Sequence, residues 1–155
     1  MRIIGIDPGK HGAAVLYNGI AFVVRKFHNK EVGEALKELL QGDLKILIER
    51  VNAFPMQGRS SIFTFGKGLG QIEGACQYAG YALRILRVGP QQWQKYFGVV
   101  KEKPKKKLTN KEKYQIKKEH KLKLVTMAKK YYPQADLDSA DAILIAVYGY
   151  ETIKS

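Results

Sequence analysis

The chain divides by its pattern of apolar and polar positions into a strand-rich first third and a helical last third. The opening run RIIGID is β-branched and ends on an acid, which predicts a strand, and GAAVLYN and GIAFVVRKF predict two more. These two meet at Asn18-Gly19, a pair that tolerates the positive φ of a type I′ turn, so three antiparallel strands are expected first. Val32, Ala35, Leu36, Leu39 and Leu40 then recur at helical spacing, and Gly42 closes that helix. LKILIE reads as a fourth strand of the kind buried on both faces. Residues 60–81 read as a helix despite Gly66, Gly68, Gly70 and Gly74. LRILRV follows as a fifth strand, and GPQQWQKYFG as a short helical turn opening at Pro90. A basic helix is predicted at about 109–132, with Leu122, Val125 and Ala128 as its buried stripe and its lysines outward. Pro133 breaks the pattern before a last helix at about 138–150. No repeat is visible, and the order predicts an α/β fold, a five-stranded mixed sheet covered by helices.

At 155 residues the chain has the size of one domain, and no apolar stretch approaches the roughly 20 residues that span a bilayer. The N-terminus lacks the charged lead, apolar block and small-residue cleavage site of a secretory signal, so a soluble, cytoplasmic protein is expected. Cys76 is the only cysteine, which excludes an intrachain disulfide and a cysteine-built metal site and leaves a small buried thiol. Charge changes the picture more. The formal net charge is +13, and residues 101–130 alone hold thirteen lysines against three glutamates, a net of +10. So local an excess points to a polyanion such as nucleic acid or an acidic membrane surface.

The acids are placed with equal economy. Asp7 ends the first predicted strand and Glu49 the fourth, so if these strands are neighbours both carboxylates emerge at one end of the sheet. Asp138 and Asp141 lie three apart and are expected to share a face of the last helix. Packing that helix across the strand ends gathers four carboxylates, an arrangement that needs a cation or protonation to relieve it. Magnesium suits it, being a hard, oxygen-seeking ion, and two such ions about 4 Å apart can drive hydrolysis of a phosphodiester. Mn2+ is the natural substitute. Asp7 is expected to bridge the ions, with Glu49 on one, Asp141 on the other and Asp138 completing the shell. Asp136 reads instead as a loop or cap residue.

These motifs resemble those of the RuvC family of Holliday-junction resolvases, within the ribonuclease H-like superfamily. GIDPG at 5–9 matches that family's first acidic motif, IER at 48–50 resembles its second, and DSADAILIA at 138–146 is similar to its final paired-aspartate helix. GLGQIEG at 68–74 and VGPQQWQKYFG at 88–98 are weaker likenesses, in the expected order. The resemblance implies a ribonuclease H-like fold and a homodimer that binds a four-way DNA junction and nicks two opposing strands symmetrically. It also implies divalent metal held by Asp7, Glu49, Asp138 and Asp141. Two departures stand out. Asn52 replaces the aromatic residue that bacterial members place after the second motif, with Phe54 nearby, and a lysine-rich insertion fills about 99–121, as in phage and organelle branches.

Lys105, Lys106, Lys107, Lys111, Lys117, Lys118 and Lys121 are the candidate DNA contacts, with Arg59 in the loop after Glu49. Lysines on phosphates position DNA and carry little sequence information. Trp93, Tyr96 and Phe97 suit core packing better than base stacking, and His11 suits a turn. His120 is expected neutral because lysines surround it. The reading is a magnesium-dependent, structure-selective endonuclease. Its competitors are a nuclease for other branched DNA or RNA–DNA hybrids, and a non-catalytic basic binding protein of the same fold.

Overall fold

The structure is a computed structural model that describes residues 1–27, 32–50, 59–101 and 108–153, with the backbone alone at 59–61. Its strands are β1 (Ile3–Asp7), β2 (Ala13–Tyr17), β3 (Phe22–Lys26), β4 (Lys45–Glu49) and β5 (Ile85–Val88). Its helices are α1 (Val32–Lys37), α2 (Arg59–Tyr78), α3 (Pro90–Tyr96), α4 (Asn110–Ala128) and α5 (Ala140–Thr152). The five strands form one mixed sheet in the order β3-β2-β1-β4-β5. β1 runs antiparallel to β2 and parallel to β4.

Alternation along the strands sorts side chains between two cores. Ile4, Ile6, Ile46 and Ile48 pack with Leu36, Leu39, Ile72 and Cys76 beneath α1 and α2. Ile3 and Leu47 face the other way, into a core completed by Trp93, Leu124 and the apolar face of α5. Period two therefore turns Asp7 and Glu49 to the α5 side, with Ile3 and Leu47. The parallel register pairs Ile6 with Ile48, and one further step sets Asp7 opposite Glu49.

Gly5 explains how α5 comes so close. A Cβ there would lie 2.4 Å from the Ala146 amide nitrogen and 2.5 Å from the Ala142 carbonyl oxygen, so only glycine lets the helix lie directly on the central strand. Small residues on both surfaces set the depth of contact.

Several elements depart from expectation. The β2–β3 connection is a four-residue loop, 18–21, because Tyr17 pairs with Phe22. Gly19 has φ +95°, and the Asn18 side-chain oxygen accepts from the amides of Ile20 at 2.9 Å and Ala21 at 2.8 Å. Asn18 thus closes the loop with its side chain instead of forming a two-residue turn. On α4 the buried positions are Leu124 and Ala128, with Val125 partly buried, while Leu122 is 51% exposed. Leu122 lies two residues from Leu124, about 200° around the helix, and so points away. Asp138 precedes α5, in the turn that leads to its cap, and is not on a helical face with Asp141.

Candidate active site

Asp7, Glu49, Asp138 and Asp141 all line one cleft of about 600 Å³ at the carboxyl ends of β1 and β4. The Gly9 amide donates to Asp7 Oδ1 at 3.0 Å and so orients the first acid. The Trp93 indole donates to Glu49 Oε1 at 3.0 Å from a wholly buried ring. Asp141 opens α5 and is buried, with its Oδ2 2.5 Å from Lys121 Nζ and its Oδ1 without a hydrogen-bond partner.

Electrostatics follow from this crowding. Burial, then the Asp141 charge, lifts the Asp7 carboxyl above its ordinary range, against the pull of the Gly9 amide and Lys121. Glu49 is pushed up to about 7, by burial first and then by Asp7 and Asp141. Burial works against the ammonium of Lys121, but its acidic neighbours, Asp141 foremost, outweigh it and raise the Lys121 pKa. The cleft is thus short of positive charge.

The opposite wall is α4, which presents Lys117, His120, Lys121 and Leu124 at helical spacing, and Arg50 lies at the rim. His120 is held below its ordinary pKa by burial first, with Lys101, Lys121 and Lys123 adding to the effect against Asp141. Its neutral form is favoured as expected, with burial as the largest single cause. Both His11 and His120 line the cleft.

Among the described residues no three His, Cys, Asp or Glu side chains are drawn together as a ready-made cation cage. The donor set nevertheless fits a hard divalent ion. It offers only carboxylate oxygens, it leaves Asp141 Oδ1 unpartnered, and it has drawn a lysine ammonium onto Asp141 Oδ2. Lys121 is the ammonium paired with Asp141.

Two solved structures resemble the chain along nearly its whole length. One is described as T. thermophilus RuvC in complex with Holliday junction substrate, with TM-score 0.59, 16% identity and coverage of 98% of this chain and 96% of the other. The fold is ribonuclease H-like, that of RuvC. The second, a Thermus thermophilus RuvC structure, gives TM-score 0.55 at 18% identity, covering 97% and 96%. No protein-family model and no curated protein matches the sequence.

Within this RuvC fold the candidate DNA contacts separate. Lys117 lines the cleft and is exposed, whereas Lys111 and Lys118 are exposed outside it. Lys121, expected outward, turns inward because uncompensated acids attract it. Lys105, Lys106, Lys107 and the Arg59 side chain lie outside the described residues, as do Asn52, Phe54 and His28. Trp93 and Phe97 pack in or against the core, as expected, and Tyr96 is 49% exposed and donates to Glu151. Cys76 is buried, which raises its thiol pKa to about 11. Asp136 is a loop residue, also as expected. Sequence reasoning missed Arg50 at the rim and the bond from Trp93 to Glu49. The chain's single tryptophan was the available signal, since a buried indole N–H requires an acceptor.

Proposed function

We propose that the chain is a metal-dependent endonuclease that cuts branched DNA, and that its preferred substrate is the four-way junction. The convergence of Asp7, Glu49, Asp138 and Asp141 on one cleft walled by a basic helix carries this reading. Four acids held together repel one another, and a catalytic cation gives the arrangement a purpose. In this proposal Asp7, Glu49, Asp138 and Asp141 hold two Mg2+ ions, with Mn2+ as a substitute. When bound, such ions activate water for attack on a phosphodiester and stabilise the departing oxygen.

The rest is the work of the chain's own side chains. Trp93 orients one oxygen of Glu49, and the Gly9 amide orients one oxygen of Asp7. Arg50 and Lys117 at the rim bind backbone phosphates and orient the strand. Lys121 neutralises Asp141 through their ion pair. Lys111 and Lys118 are exposed for further phosphate contacts, and Lys105, Lys106, Lys107 and Arg59 are assigned the same role from the sequence. The junction preference is supported by the likeness to a RuvC structure solved with a Holliday junction substrate. Two symmetric nicks require two such clefts, so the active species is a homodimer.

Purified protein incubated with Mg2+ and a synthetic four-way junction tests this. Paired nicks in opposing strands are expected. Binding without cutting identifies a non-catalytic binding protein, and preference for forks, flaps or RNA–DNA hybrids moves the substrate elsewhere.

A further inference from the structure

Asp138 is the one acid of the four that no regular element holds, since β1 and β4 carry Asp7 and Glu49 and the first turn of α5 carries Asp141. A turn residue keeps a fixed position only if its peptide is tied down. Asp136 ties it. Its Oδ1 accepts from the Asp138 amide at 3.2 Å, the Ser139 amide at 3.1 Å and the Ser139 hydroxyl at 2.8 Å. Ser139 is buried, and its hydroxyl oxygen accepts in return from the Asp136 amide at 3.0 Å.

The second oxygen of Asp136 is also engaged. Oδ2 is ion-paired with Lys26 Nζ, across 110 positions of sequence. Lys26 is the last residue of β3, pinned by its pairing with Ala13 of β2. A line of contacts thus runs from the sheet edge through Lys26 and Asp136 to the backbone of Asp138. Asp138 borders both the acidic cleft and a second one lined by Val24, Arg25, Lys26 and Tyr132.

We propose that Lys26 and Asp136 are positioning residues that clamp the turn bearing Asp138 and so complete the metal-binding set. The inference rests on the reading of the cleft as a metal-dependent site. Lys26 is committed to Asp136 and contributes to cation affinity without touching the cation. Partners of this kind affect metal affinity by about 10–100-fold when removed.

The test is calorimetric titration of Mn2+ into metal-free protein, with unfolding midpoints measured in parallel. Lys26→Met and Asp136→Asn are each expected to weaken Mn2+ binding at least ~10-fold. Lys26→Arg, which keeps the charge, restores affinity, and the double variant loses no more than the worse single one. Wild-type affinity in Lys26→Met overturns the clamp, even where stability falls, because a structural pair would lower the midpoint alone. Should Asp136→Asn fail to fold, Lys26→Met decides, since Lys26 is 41% exposed. Asp7→Asn is the independent control. If it too binds Mn2+ normally, the metal reading of the cleft fails; if it alone weakens binding, only the clamp fails.

Discussion

Glu49 shows how much depends on one carboxyl. Its folded pKa of about 7 lies above the ordinary value of 4.5, so the metal-free folded state holds a proton that the unfolded chain has released in that window. The stability this contributes is fully present below about pH 4.5 and is lost as pH rises through about 7. Metal-free Glu49→Gln is therefore expected to lose part of the downward slope of unfolding midpoint against pH between those values, measured by thermal denaturation. Mg2+ should oppose the wild-type slope, because a cation stabilises the ionised acid. Asp7→Asn removes one proposed ligand without touching the lysines. It is expected to abolish cutting, by at least about 100-fold in rate, while junction affinity in a gel-shift titration stays at or above the wild-type value. Loss of both together would detach Asp7 from the chemistry.

At the scale of elements, α4 and α5 divide the labour. The exposed lysines Lys117 and Lys118 are expected to set the salt dependence of DNA binding, and replacing both with alanine should reduce the slope of log affinity against log salt by about 2. An unchanged slope would place the DNA on another face. α5 instead depends on fit. Gly5→Val drives branched carbons into the backbone at Ala142 and Ala146, and by overpacking should cost upwards of about 3 kcal/mol in denaturant unfolding. These two helices also show what was legible in the sequence. Strand ends bearing lone acids stood out because period two and a terminal carboxylate are local signals, and they located Asp7 and Glu49. Asp138 and Asp141 were legible as residues, but the turn holding Asp138 was not, since it depends on Lys26 from an edge strand far away in sequence. Lys121 was misread for a related reason. A lysine among lysines looks solvated until the acids it faces are brought into place by other elements.

Across the whole molecule, the basic helix and the acids meet at one cleft. The acids gather at one end of the sheet, and a net of +10 lies within residues 101–130. Among the described residues no helix is long and apolar enough to cross a membrane. A flank so basic grips any phosphate chain, straight or branched, with little regard for shape. On the proposed reading, discrimination arises at the cleft that holds the carboxylates. Most encounters in a crowded mixture would therefore be unproductive, with the protein parked on ordinary duplex. An excess of plain linear DNA should slow turnover by sequestering the protein, leaving the rate of the bound complex unchanged.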